Sequence, residues 1–115
     1  MTVEGMAFHQ GNKILLKDAK VGVMTHALHY GTAAFEGIRG NWNSDNNNMV
    51  IFRLKEHYER LLRGAKILRM NLPYTAEKLS EITVDLVKSN GYKQDVYIRP
   101  LAYKSHELVA NLKLH

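Results

Sequence analysis

In Leu54-Lys55-Glu56-His57-Tyr58-Glu59-Arg60-Leu61-Leu62-Arg63-Gly64-Ala65-Lys66-Ile67-Leu68-Arg69-Met70, the residues Leu54, Tyr58, Leu61, Leu62, Ala65 and Leu68 recur at three- and four-residue steps. That spacing puts them on one face and predicts a helix over Lys55 to Met70. Gly64 costs such a helix about 1 kcal/mol relative to alanine, so a close neighbour is expected there. Pro73 then redirects the chain. A second helix is expected from Thr75, as N-cap, to the stop signal Asn90-Gly91, with Leu79, Ile82, Leu86 and Val87 as its buried stripe.

Outward from this helical pair the pattern changes to strands. Ala7–Gln10 and Lys13–Leu16 flank Gly11-Asn12, which reads as a hairpin. In the segment from His26 to Gly37, Thr32 is expected to cap a short helical turn and Gly37 to end it. Ile38–Trp42 and Met49–Phe52 read as antiparallel strands joined by the polar run Asn43 to Asn48. Asp95–Tyr103 reads as one strand, with Val96, Ile98 and Ala102 on one face and Tyr97, Arg99, Leu101 and Tyr103 on the other. Pro100 lacks an N–H, so this strand belongs at an edge or carries a bulge. The expected fold class is α+β, an antiparallel sheet with two packed helices.

The chain has 115 residues, room for one domain with a core. It contains no cysteine, which rules out disulfides, thiolate metal sites and a cysteine nucleophile and fits a reducing cytoplasm. No apolar run approaches the roughly 20 residues of a membrane span, and the N-terminus has no signal-peptide pattern. The net charge of +5 comes from basic residues interleaved with acids along the chain, which does not point to nucleic acid.

Four groups of residues are candidates to carry chemistry. Tyr97 and Arg99 share a strand face turned away from the core. An arginine fork binds carboxylates through two parallel hydrogen bonds, although spacing alone favours a surface arginine with amphipathic neighbours. Arg53, Arg60 and Arg63 are placed near a helix start, where the helix dipole favours anions. Their bland reading is a solvated face with pairs such as Glu56–Arg60. His26 and His29 are three residues apart, but no third metal ligand stands out, and structural hydrogen bonding explains them better. Tyr30 and Phe35 fit a pocket lining and a core equally well.

Taken together, Thr25-His26-Ala27-Leu28-His29-Tyr30-Gly31-Thr32-Ala33-Ala34-Phe35-Glu36-Gly37-Ile38-Arg39, Phe52-Arg53-Leu54-Lys55-Glu56-His57 through Arg60-Leu61, and Val96-Tyr97-Ile98-Arg99-Pro100-Leu101 resemble, in order, three segments of the branched-chain-amino-acid aminotransferases. These are fold-type IV pyridoxal-phosphate (PLP) enzymes. The resemblance runs from about Phe8 to the end of the chain and implies that residues 1–115 form the N-terminal small domain. It implies that Arg60 binds the PLP phosphate and that Arg99 receives the distal carboxylate of glutamate or 2-oxoglutarate, with Tyr97 beside it. Phe35 would be a wall of the hydrophobic side-chain pocket, and Tyr30 would reach the pocket of an adjoining subunit. The implied parent is a cytoplasmic homodimer or higher homo-oligomer that moves the amino group of Leu, Ile or Val to 2-oxoglutarate. D-amino-acid aminotransferase and aminodeoxychorismate lyase share the architecture but usually lack the Phe-Glu-Gly-Ile-Arg string.

The resemblance also implies what lies elsewhere. In the family, the lysine that binds the cofactor belongs to a C-terminal domain, and no lysine here matches its motif. Lys104, near Arg99, is assigned to the continuation of the strand. Asn111–His115 carry no stop signal. The chain is therefore expected to hold no catalytic residue, to contribute to an incomplete PLP site and to be inactive without its own C-terminal domain. The alternative is a non-catalytic ligand-binding or dimerisation module.

Overall fold

The computed structural model describes residues 4–109, so the terminal segment Asn111–His115 lies outside the described residues. In chain order the elements are β1 (Met6–His9), β2 (Asn12–Leu15), a 3-10 turn (Leu16–Asp18), α1 (His26–Tyr30), β3 (Ala33–Phe35), β4 (Ile38–Asn43), β5 (Asn48–Ile51), α2 (Leu54–Ile67), α3 (Ala76–Asn90), β6 (Val96–Ile98) and β7 (Leu101–Tyr103). The α+β class holds, but the expected single sheet is divided into three: β1-β2, β3-β7 and β5-β4-β6, with all pairings antiparallel.

The division has a local cause. Ala33, Ala34 and Phe35 face Tyr103, Ala102 and Leu101, and Ile38, Arg39 and Gly40 face Ile98, Tyr97 and Val96. One register therefore runs through both pairings, and it sets Glu36 opposite Pro100. Glu36 N–H donates to the Pro100 carbonyl at 3.1 Å, while proline has no N–H to return the bond. The ladder is interrupted at that point and the expected strand becomes two. Both pieces lie at sheet edges, as the proline required, and no extra residue is bulged out.

Two turns differ from their sequence reading. His9 pairs with Asn12, so the hairpin loop is Gln10-Gly11, both at positive φ (49° and 88°), rather than Gly11-Asn12. The helical turn precedes Thr32 instead of following it. Gly31, in the left-handed region, closes α1, and the chain continues as β3, so Gly37 ends no helix.

The helical pair forms as its periodicity dictates. α2 ends at Ile67, three residues early, because Arg69 turns to positive φ and Met70 N–H bonds the Ala65 carbonyl. Tyr58, Leu61 and Ala65 from α2 join Ile38, Met70 and Ala102 in the buried core. α3 begins at Thr75, whose side chain accepts from Lys78 N–H at 3.1 Å, and is closed by Gly91. Thr83, absent from the predicted stripe, is buried between the helices. Its hydroxyl donates to the Leu79 carbonyl at 2.9 Å and accepts from the Tyr58 hydroxyl. Burial pushes the Tyr58 phenol pKa up.

Gly64 lies near Ala34, but a Cβ built on it would sit 3.5 Å from the Ala34 Cβ, an ordinary contact. The glycine is not required by packing. Gly64→Ala is expected to stabilise the chain by roughly 0.5–1 kcal/mol in urea unfolding; a loss of stability would show that the α2–β3 contact is tighter than this geometry.

Candidate functional site

β3 and β4 alternate sides. Phe35, Gly37 and Arg39 are exposed, while Glu36, Ile38 and Gly40 are buried. Opposite them, Tyr97 and Arg99 are exposed, and Val96 and Ile98 are partly covered. The exposed side assembles the first group. Arg99 Nη2 donates to the Tyr97 hydroxyl at 2.8 Å, and the Arg99 guanidinium lies 4.2 Å from the Phe35 ring centre and 5.4 Å from that of Tyr97. The arginine is held by one phenol and two aromatic faces. Among the described residues no carboxylate pairs with it. Its positive charge is therefore retained beside an apolar ring, at an open surface.

The buried side of the same turn holds a second group that the sequence reading missed. Glu36, 6% exposed, accepts Arg60 Nε at 2.9 Å and Nη2 at 2.7 Å, and its Oε1 lies 2.8 Å from His57 Nδ1. A carboxylate only accepts, so the His57 proton is on Nδ1. Both partners come from α2, one turn apart, and reach across to the β3–β4 junction. The Arg60 hydrogen bonds, first, and then His57 hold the Glu36 carboxyl below the usual carboxylate range, against the opposing effect of burial. Glu36 in turn raises the Arg60 pKa further.

This arrangement corrects two expectations. Arg60 lies in the middle of α2, so the helix dipole, which acts within the first turn, does not assist it. Glu56 pairs with Arg53 at 2.8 Å and not with Arg60; Arg53 holds the Glu56 carboxyl below its ordinary value. Arg60 nonetheless keeps a side chain that is 65% exposed, with guanidinium donors beyond the two given to Glu36.

Residues 33–110 match the family model described as Amino-transferase class IV. The chain belongs to this family. It is 48% identical over 97 residues to a probable branched-chain-amino-acid aminotransferase of Aquifex aeolicus, covering 84% of this chain and 31% of that protein. It superposes on the branched-chain aminotransferase of the thermophilic archaeon Thermoproteus uzoniensis, solved with norvaline, with a TM-score of 0.82 and 47% identity, over 90% of this chain and 34% of the other. The branched-chain amino acid aminotransferase of Escherichia coli gives a TM-score of 0.76 and 41% identity, over 83% of this chain and 30% of that one. The class IV chain thus spans about a third of the length of these relatives.

The remaining candidates of this class IV domain fall around α1. The His26 ring contacts Thr32 Oγ1 at 2.8 Å, and His29 Nε2 donates to the Val23 carbonyl at 2.6 Å. Each histidine thus has a structural hydrogen bond. Burial, and then the nearby charges of His106 and Lys104, lower the His26 pKa. Among the described residues no three side chains are grouped to hold a metal. Tyr30, half-exposed at the end of α1, rests its ring 4.5 Å from that of His26. Lys104 follows β7, and its backbone bonds Thr32 and Ala27. Arg39, opposite Tyr97, is a further exposed arginine on the Arg99 face, and a period-two reading of Phe35-Glu36-Gly37-Ile38-Arg39 would have found it. No described helix is long and apolar enough to cross a membrane.

Because the folded Glu36 carboxyl titrates below its unfolded counterpart, its contribution is present above the unfolded pKa, near 4.3, and is lost as pH falls through the folded one. Glu36→Gln is expected to cost about 1 kcal/mol at neutral pH, a modest figure because the arginine end is exposed. The gap from wild type should close in acid. Urea unfolding at pH 7 and below pH 4 checks this, and a gap that persists in acid would contradict it.

Proposed function

We propose that this chain is the recognition domain of a PLP-dependent branched-chain aminotransferase. The carrying observation is Arg99, which lies between Phe35 and Tyr97 with no acid among the described residues to cancel it. A transaminase of this kind must accept both an apolar side chain and the carboxylate of glutamate or 2-oxoglutarate at one place. An apolar ring beside an unneutralised arginine serves both. Phe35 provides contact for the aliphatic side chain, and Arg99 provides the charged fork, steadied by the Tyr97 phenol. Tyr30 is assigned to the pocket of an adjoining subunit, in a homodimer or larger homo-oligomer. The relatives' substrates, as their names print them, agree with this reading.

The donor chemistry of Arg60 fits a phosphate. Its spare guanidinium N–H groups are open to solvent, and Glu36 fixes the direction of the fork. Glu36 also offsets part of the charge, so further phosphate donors are assigned to the protein's C-terminal domain, together with the lysine that would hold PLP. Bound PLP would supply an electron sink for breaking the substrate Cα–H bond. This chain's own part is to bind and orient, and it contains no catalytic residue. The lack of cysteine accords with a cytoplasmic enzyme.

In the full-length enzyme, Arg60→Ala is expected to weaken PLP retention, read as faster cofactor loss on dialysis. Arg99→Ala should raise KM for glutamate and 2-oxoglutarate about tenfold or more while changing that for leucine much less, as loss of a charge-assisted hydrogen bond requires. Equal losses for both substrate types would overturn the role of Arg99. The 115-residue chain mixed with PLP should turn over no leucine and 2-oxoglutarate.

A further inference from the structure

Gly37 continues the register in which Ile38 faces Ile98 and Arg39 faces Tyr97, so it lies opposite Arg99 and diagonal to Tyr97, on the exposed face. A Cβ built on Gly37 would overlap the Tyr97 hydroxyl oxygen and fall 3.0 Å from Cζ of the same ring. The phenol thus occupies the space a side chain at position 37 would fill. It is the same phenol that accepts the Arg99 Nη2 hydrogen bond at 2.8 Å.

We propose that Gly37 is a specificity-determining position: its missing side chain is what lets the Tyr97 phenol lie where it aims the Arg99 guanidinium, and so sets how well the enzyme discriminates acidic from aliphatic substrates. The inference rests on the carboxylate role assigned to Arg99 above. Two features separate it from a merely structural demand for glycine. The backbone at Gly37 is not in the left-handed region that excludes other residues. The obstructing atoms belong to the far end of a side chain that is 63% exposed, not to backbone or core. An alanine there is therefore accommodated by swinging the phenol away, with the fold intact. What it removes is the phenol's hold on Arg99. A freed guanidinium samples more orientations, and the ordering must be met when the carboxylate binds. An aliphatic ligand, which uses Phe35 and not the fork, is spared.

The test uses the full-length PLP-loaded enzyme with Gly37→Ala, Tyr97→Phe, the double variant and Arg99→Ala. Calorimetry measures binding of glutarate, a dicarboxylate probe, and of 4-methylpentanoate, an aliphatic monocarboxylate. Glutamate and leucine kinetics accompany it. Gly37→Ala is expected to weaken glutarate about tenfold, the size of one hydrogen bond to a charged group, and 4-methylpentanoate less than about twofold. In the Tyr97→Phe background, where the hydroxyl is already gone, the same substitution should weaken glutarate by less than about threefold. Unchanged glutarate binding, equal weakening of both probes, or effects that multiply in full in the double variant would overturn the proposal. Arg99→Ala separates the two layers. If it weakens glutarate while Gly37→Ala does not, the Arg99 reading stands and the Gly37 role fails. If Arg99→Ala leaves glutarate unchanged, both fail.

Discussion

Antiparallel pairing of residues 33–40 with 96–103 places Phe35, Glu36, Gly37, Tyr97 and Arg99, because a single register fixes which side each residue takes. Phe35, Gly37 and Arg39 fall on one side with Tyr97 and Arg99. Glu36, Ile38 and Ala102 fall on the other, against α2. Slipping the pairing by one residue would bury Arg99 and expose the core. Ile38 and Ala102 in the core therefore hold the outward orientation of the arginine as firmly as any contact Arg99 makes itself.

Pro100 modifies that constraint at one point. By omitting a single ladder bond opposite Glu36, it divides the pairing into two short sheets. At this junction the Glu36 carboxylate meets Arg60 and His57 from α2 on the buried side, while Phe35 meets Arg99 on the open side. The two arginines are treated oppositely. Arg60 is tethered by an acid that directs it and offsets part of its charge. Among the described residues Arg99 is held by a phenol and ring faces, which leave its charge available. Under the proposed function, that contrast suits Arg60 to a permanent partner such as a cofactor phosphate and Arg99 to a ligand that must come and go.

Much of this was legible in the sequence. The three- and four-residue spacing from Leu54 to Leu68 is strong enough to dictate α2, and Thr75 with Gly91 bound α3 through ordinary cap chemistry. The alternation from Val96 to Tyr103 put Tyr97 and Arg99 on a common outer face, and the structure keeps them there. The sequence reading failed where two far-apart segments had to meet. Glu36 has no role legible in the sequence, because nothing local says that a carboxylate between Phe35 and Gly37 will be buried against His57 and Arg60. Thr83 was passed over for a similar reason, since its value as a polar core residue depends on the Tyr58 hydroxyl 25 residues away.

The sequence by itself determined the two long helices, the strand faces and the edge position of the Pro100 strand, since each follows from side-chain periodicity or from a missing N–H within a few neighbouring residues; that this strand breaks in two, and that the short helix precedes Thr32, came from the tertiary structure. The tertiary structure alone decided charge partnership: that Arg60 is tied to an acid while Arg99 has none among the described residues, and that Gly37 borders the Tyr97 phenol. Ion pairs and steric vacancies are set by distances between residues far apart in the chain. Those distances exist only once the register between residues 33–40 and 96–103 has been chosen.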